Sequence, residues 1–522
     1  ITPLTPVLHN VGDWEMWDGA PARFAGRCAK MQRPGNHCRP AFSAWLTETL
    51  NILMQVFLDF VLIVGPTTAI TWFATALIPS RATELAGDYF RITPLAEIVW
   101  HLGLYTFTTT WVTIVLLSLL ACAFLRVTAA APGLHSSRGL RGALLLYRVM
   151  RFNQLQRLWT WTITGQYLRA LAGLRFTRVG GSECDLMYNL VPEMAGVDAQ
   201  VFWSHGGFTN MLDYGSEHIV LRQLEMPKNF FAGNNCVVEF GQLPTNFLLG
   251  VATPANDIRF RRQMRSRLAQ PTTVAGNPPV RFASADFESE TESQTPPGFG
   301  LFFGRVLLND IFSIGVLPTA EVLVFAVFTT ILLRLEQHPV ISAFVALILA
   351  EIALLLSCMA VKKLLVGNTW GSEHATPFWS WRHFTYFFAQ DCFFAWCKRT
   401  LAVTAGTVMS NAVLRGMGCR IGKGTLFAAP LQAYDWNAVS FGDDCVVAGQ
   451  LQYHSMENMT LRVKRTEIRD GSVVNLGATV MGGAVIEPET TLMPLSLVLK
   501  EMHLPTASYE GSPAEVVTDD RT

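Results

Sequence analysis

The sequence predicts an α+β membrane protein in which transmembrane helical hairpins alternate with parallel β-helix domains. Ile468, Val474, Val480, Ile486, Leu492 and Val498 recur every six residues, with Gly471, Gly477 and Gly483 at fixed offsets. A period of six fits neither a helix at 3.6 nor a plain strand at 2. It fits stacked coils in which the recurring aliphatic forms an inner ladder. Half of the 522 residues are hydrophobic and only 15% are charged, with a mean hydropathy of +0.29, which is a membrane composition. The same order of segments also occurs more than once along the chain.

Residues 1–23 read as the last coil of a truncated first β-helix domain. Trp17-Asp18-Gly19-Ala20-Pro21-Ala22 has the form of Tyr509-Glu510-Gly511-Ser512-Pro513-Ala514, which closes the six-residue run near the other end. Ile1 in place of Met agrees with a full-length chain that continues upstream. Residues 24–130 hold a basic connector (Arg27, Lys30, Arg33, Arg39) and a first hairpin with spans at 51–78 and 95–125. Each span exceeds the roughly 20 apolar residues that cross a bilayer. Residues 131–173 and 367–415 carry Trp159, Trp161, Trp370, Trp379, Trp381 and Trp396 among bases. They read as amphipathic helices at headgroup level or as a buried helical collar.

A second β-helix domain is expected over 174–255, with an echo of the period at Phe231, Val237, Leu243 and Leu249. It closes on Gly250-Val251-Ala252-Thr253-Pro254-Ala255, a looser form of the ending motif. Residues 256–300, with Glu288, Glu290, Glu292, Pro296 and Pro297, read as a flexible linker. The second hairpin occupies 301–366, with spans at 311–333 and 340–361, and a third β-helix domain occupies 416–518. Pro66-Thr67 matches Pro318-Thr319, and Arg178-Val179-Gly180 matches Arg420-Ile421-Gly422. The repeat of hairpin, linker helices and β-helix is thus roughly 240–250 residues long. Bases cluster outside the hairpin loops, at Arg23 to Arg39, Arg126 to Arg157, and Lys362, Lys363, Arg382, Lys398 and Arg399. By the positive-inside rule, the soluble units of this integral membrane protein face the cytoplasm.

His454 lies nineteen residues after Asp435, so on coils of three six-residue edges the two side chains meet on successive turns. A carboxylate that orients an imidazole makes it a general base toward an amine or hydroxyl. Glu457 is placed to fix the second ring nitrogen or to hold a cationic amine. The middle unit has Asp185 with His205 twenty residues on, and Phe208 in place of Glu457, so the third unit is expected to be the working one. A polar rung with no chemistry is the alternative for each pair. Glu321 and Glu351, on partner spans, suggest an interhelical bond or a polar pathway, whereas Asp59 and Glu97 sit near span ends. Zero net charge gives no field for nucleic acid. There is no Walker A motif, nucleotide fingerprint or metal-like cysteine cluster, and Gly180-Gly181-Ser182 opens a β-helix rather than carrying a prosthetic group. The ten cysteines read as reduced, buried thiols.

Leu451-Gln452-Tyr453-His454 with Glu457, Gly233-Asn234 before Val237-Val238, and the Gly-x-Pro-Ala endings carry a family resemblance. So does the order hairpin, β-helix, hairpin, β-helix. The chain resembles the C-terminal membrane region of ε-poly-L-lysine synthetase-type non-ribosomal peptide synthetases, and its coils resemble the hexapeptide-repeat, left-handed β-helix acyltransferases. The resemblance implies adenylation and carrier domains upstream in the same polypeptide, which would use ATP and phosphopantetheine. No cofactor is expected in this chain itself. It further implies amide-bond formation between a carrier-bound aminoacyl group and a small-molecule amine acceptor, with His454 as base. Two other classes stay open: a membrane O- or N-acyltransferase with an acyl-CoA-like donor, and a non-catalytic carrier-docking scaffold or export conduit.

Overall fold

The computed structural model describes residues 15–18, 23–27, 49, 53, 55–58, 68, 90–136, 139–179, 182–184, 190–204, 206–214, 218–239, 241–254, 272–276, 280–282, 298–335, 338–367, 374–428, 435–457 and 459–517. Among them, three helices are long and apolar enough to cross a membrane: α1 (Leu95–Val127), α4 (Phe299–Arg334) and α5 (Pro339–Leu365). Most of each apolar window lies on the molecular surface, which suits lipid rather than water. The first span, 51–78, falls largely outside the described residues, and Asp59 with it. Between the membrane helices and the coils lie α2 (Gly139–Leu158) and α3 (Ile163–Ala172), and later α6 (Trp381–Trp396), α7 (Lys398–Thr404) and α8 (Val408–Met417).

These shorter helices pack on the coils as a collar. Trp159 and Trp396 are buried. Arg148, 1% exposed, donates to the Leu125 carbonyl at 2.8 Å, Thr128 Oγ1 at 2.6 Å and Glu193 Oε1 at 2.6 Å. Arg126 Nε donates to the Leu171 carbonyl at 2.9 Å. Bases that served the orientation argument therefore also tie the end of α1 to the collar, satisfying carbonyls that a helix C-terminus leaves unpaired.

The third unit is a stack of coils with three parallel sheets. One sheet runs through 420–421, 439–441, 466–468, 485–486 and 503–504. A second runs through 426–427, 446–447, 473–474, 491–492 and 508–510, and a third through 450–452, 479–481 and 497–498. Val474 pairs with Leu492 and Val480 with Val498, eighteen residues on in each case. The six-residue period thus moves one sheet per step, and all six ladder residues from Ile468 to Val498 are at most 1% exposed. Gly471, Gly477 and Gly483 turn the corners at positive φ, where a side chain is strained.

The middle unit repeats the sheets at 175–176, 195–197, 224–226 and 241–242, at 183–184, 202–203, 230–232, 247–249 and 272–275, and at 207–209 and 237–239. Two of its strands, Thr272–Ala275 and Val280–Phe282, fall inside the stretch expected to be a linker. Thr272–Ala275 continues the sheet beyond Phe247–Leu249, and Val280–Phe282 returns antiparallel to it. The pairing of Val274 with Arg281 matches that of Tyr509 with Val516 and of Trp17 with Phe24. The closing motif of the middle unit is therefore Val274-Ala275-Gly276-Asn277-Pro278-Pro279, not the segment beginning at Gly250. The echo of the period holds only in part: Leu249 is buried inside and Leu243 packs against the core, whereas Phe231 faces outward between buried Phe230 and Ala232, and Val238 rather than Val237 is buried.

The two repeats are joined. Asp310, in the π-helical stretch Val306–Val316 of α4, accepts from the backbone N–H groups of Ile163 at 3.2 Å and Thr164 at 2.7 Å, capping the start of α3. Arg305 Nη2 donates to the Trp161 carbonyl at 3.1 Å. Phe202, Phe231 and Trp161 of the first repeat pack in one cluster with Tyr386, Met456, Met459 and Leu461 of the second.

Candidate active site

Both coil stacks are interrupted at the same corner by a hairpin. In the third unit the chain leaves the coil after Gln452 and forms a hairpin, His454–Glu457 with Thr460–Val463, before rejoining at Thr466. A third strand, His374–Pro377, adds antiparallel to Thr460–Val463 and leads directly into α6, whose start is capped by Ser380 Oγ. The hairpin root and α6 therefore meet at one point.

At that point Asp435, 1% exposed, stands just before the first full coil, and His454 opens the hairpin. His454 Nδ1 lies 2.5 Å from Asp435 Oδ2. The predicted pair on successive coils is present. The Tyr386 hydroxyl donates to the other carboxylate oxygen, Asp435 Oδ1, and Gln390 Nε2 donates to Tyr386 Oη at 2.6 Å. The His454 ring keeps 23% of its side-chain surface exposed. Burial disfavours its charge, yet the Asp435 charge and hydrogen bond outweigh this and raise its pKa, with the nearby Lys500 charge opposing. Burial lowers Lys500 itself to about 8, against Glu501. His383, 2% exposed, packs at a tilt against Phe378 and Phe387 with ring centroids 4.7 Å and 4.5 Å away. Burial, and then the charges of Arg305 and His454, hold its pKa well below the usual histidine value.

Glu457 ends the first hairpin strand, paired with Thr460; its side chain lies outside the described residues. Asp185 and His205 also lie outside them. The strands around them nevertheless identify the true counterparts of the dyad. Val439–Phe441 corresponds to Ala195–Val197, Gln450–Gln452 to Gly207–Thr209, and the hairpin strand His454–Glu457 to Met211–Tyr214. Counting along these strands, Asp435 matches Val191 and His454 matches Met211. The middle unit keeps this local fold with Val191 and Met211 in the places of the acid and the imidazole.

Tyr386, Gln390 and His383 were not singled out from the sequence, because nothing in an aromatic-rich helix marks which residues turn toward a coil corner. Glu321 and Glu351 do converge, but on Arg399 of α7: Glu321 accepts from Arg399 Nη2, Glu351 Oε1 lies 3.5 Å from Arg399 Nε, and Thr400 Oγ1 donates to Glu351 Oε2 at 3.0 Å. Ser182 is buried, its hydroxyl donating to the Asp198 carbonyl at 2.8 Å and accepting from the Val201 N–H at 3.1 Å. Among the described residues, seven cysteines are free and buried, and no three His, Cys, Asp or Glu side chains gather as metal ligands.

Among solved structures, the chain is similar to hexapeptide-repeat acetyltransferases. One is a hexapeptide-repeat acetyltransferase from Vibrio cholerae, at 13% identity and a TM-score of 0.21, covering 23% of this chain and 85% of that one. Another is a serine acetyltransferase complexed with cysteine, at 15% identity and a TM-score of 0.17, covering 37% of this chain and 85% of that one. Among curated proteins, the chain is similar to the Delta-poly-L-ornithine synthetase of Acinetobacter baumannii (strain AB307-0294), 22% identical over 98% of this chain. The chain spans 39% of that relative's length. No family model matches the chain. The resemblance to the ε-poly-L-lysine synthetase type thus has a relative named as a poly-amino-acid synthetase.

Proposed function

We propose that this chain is the amide-bond-forming region of a single-module, membrane-bound non-ribosomal peptide synthetase. It joins a carrier-bound aminoacyl thioester to a free amine acceptor. The observation that carries the reading is the partly exposed His454 imidazole held by the buried carboxylate of Asp435. The name of the Acinetobacter relative supports an amide-forming, acyl-transferring synthetase. Asp435 fixes the proton of the imidazole on Nδ1, which leaves Nε2 as the basic nitrogen. Nε2 takes a proton from the acceptor amine as its nitrogen attacks the thioester carbonyl. The new C–N bond forms, the C–S bond breaks, and the proton passes to the departing thiolate. Adenylation and carrier domains of the same polypeptide would supply the thioester, using ATP and phosphopantetheine there. Glu457 is assigned to the acceptor's cationic group.

On this reading the architecture is two repeats of hairpin, collar and left-handed β-helix, with all soluble parts on the cytoplasmic side. The basic residues flanking the hairpins support that orientation. The test is His454→Ala in the synthetase that contains this chain, with adenylation, carrier loading and product followed together. Persistent loading with loss of product is expected. Product at the normal rate would overturn the assignment in favour of a docking scaffold, and product made from an acyl-CoA donor alone would favour the simpler acyltransferase.

A further inference from the structure

The duplication inside this chain provides a control for the site. Its two copies share one backbone plan, so residues that change together between them report which side chains work as a set. In the working copy, Asp435 accepts from both His454 and Tyr386, and Gln390 donates to Tyr386. In the other copy the strand Gly133–Ser136 takes the place of His374–Pro377, each pairing antiparallel with the second hairpin strand. Nine residues beyond these strands stand Leu145 and Tyr386, and one helical turn later Val149 and Gln390.

The surroundings match as well. Tyr386 packs with Ala438, Leu461 and Val463, and Leu145 packs with Met194, Ile219 and Leu221, which occupy the corresponding strand positions. Where the third unit has Asp435, Tyr386 and Gln390, the middle unit has Val191, Leu145 and Val149 in one apolar cluster. The fourth member, His454, is matched by Met211. A tyrosine that served only to fill space between α6 and the coil would have no reason to disappear together with the carboxylate it touches.

We infer that Tyr386, backed by Gln390, is a positioning residue for acyl transfer: its hydroxyl locks the Asp435 carboxylate in the orientation that presents His454. This rests on the proposed role of His454. By occupying Oδ1, Tyr386 leaves Oδ2 to the imidazole and prevents the carboxylate from rotating. Because α6 belongs to the collar beside the membrane helices, this also places one member of the relay on the element that connects the coil to α4: Asp391, one residue past Gln390, accepts from Ser313 Oγ at 2.5 Å.

The test is a comparison of Tyr386→Phe, Asp435→Asn, the double variant and His454→Ala in the synthetase containing this chain, measuring kcat, KM and the pH dependence of product formation. Phe keeps the ring and its packing. Loss of a hydrogen bond to a charged group predicts a fall in kcat of about tenfold or more with KM little changed. The acid limb should move to higher pH, because a carboxylate relieved of one donor pulls harder on the imidazolium. The double variant should be no slower than Asp435→Asn alone, since the hydroxyl acts through that carboxylate. Gln390→Val, which copies the middle unit, should lose less than Tyr386→Phe and in the same direction, and it keeps the test available should the phenylalanine variant not fold. Wild-type kcat and pH profile in Tyr386→Phe, or an independent multiplicative loss in the double variant, would overturn the inference. Turnover surviving in His454→Ala would instead overturn the underlying assignment of the base.

Discussion

Replacing Asp435 by Asn tests the dyad through a shift whose sign follows from the structure. In the wild type, burial and the Lys500 charge both lower the His454 pKa, and only Asp435 raises it, by its charge and its 2.5 Å hydrogen bond. Removing the carboxylate leaves the two lowering influences, so the pKa should drop below the ordinary 6.5. A base must be neutral to act, so the acid limb of the rate profile should move to lower pH. The plateau should nevertheless fall. Asn can offer its amide N–H toward Nδ1, which favours the tautomer with the proton on Nε2, the nitrogen that has to accept. A charge-assisted hydrogen bond of this kind is worth roughly 1.5–3 kcal/mol, which corresponds to about a ten- to hundredfold loss in rate. The stability linkage has the opposite sense. A folded pKa above the unfolded one gives stability that is fully present below pH 6.5 and lost as pH rises through the folded value, and the variant should lack that loss. The assay is single-turnover amide formation from a loaded carrier between mildly acidic and alkaline pH, beside thermal melts over the same range. An acid limb that stays in place, or a plateau at the wild-type rate, would refute the coupling.

Two further perturbations test the framework around the site. Val191→Asp places a carboxylate in the apolar cluster of the middle unit, where the counterpart of Tyr386 is Leu145; it should cost about 3–5 kcal/mol, the penalty for an uncompensated buried charge, read as a lower melting temperature without gain of a second active site. Gly482→Ala would push a Cβ into the backbone carbonyl of Tyr453, the residue before His454. Overpacking of this kind costs about 1–3 kcal/mol, and the loss of activity should exceed what the melt explains, because the backbone that must give way is the root of the hairpin.

Much of this fold was legible because the coil writes its period directly into the chain. An inward position every six residues has to be aliphatic on each of three sheets, and Ile468 to Val498 satisfy that without interruption. The membrane helices were legible for the same reason, as uninterrupted apolar length. The dyad in the third unit could be found because its spacing of nineteen is close to one coil. That rule failed in the middle unit. Asp185 to His205 and Val191 to Met211 both span twenty residues, and spacing alone cannot choose between them. The choice is made by where the hairpin leaves the coil, and that depends on the pairing of Met211–Tyr214 with His218–Leu221. The end of the middle unit was hidden differently: the strand at 272–275 is separated from 247–249 by a polar, Arg-rich stretch, so no local period connects them although they pair in parallel.

The contrast between the two units supports the proposed chemical role of the relay. A carboxylate 1% exposed, a tyrosine 1% exposed and a glutamine 5% exposed are costly to bury, and a network of this kind stabilises less than apolar residues of similar volume. The middle unit demonstrates the cheaper solution in the same backbone, with Val191, Leu145 and Val149 packed beside Met194 and Ile219. The middle unit also braces the hairpin: outward-facing Phe231 stacks on Phe202 at 5.2 Å between centroids, and both pack in the cluster that contains Met456 and Met459 of the His454 hairpin. A hairpin of two short strands is marginal alone. Its geometry is therefore held from two sides, by His374–Pro377 with α6 on one and by the apolar surface of the middle unit on the other.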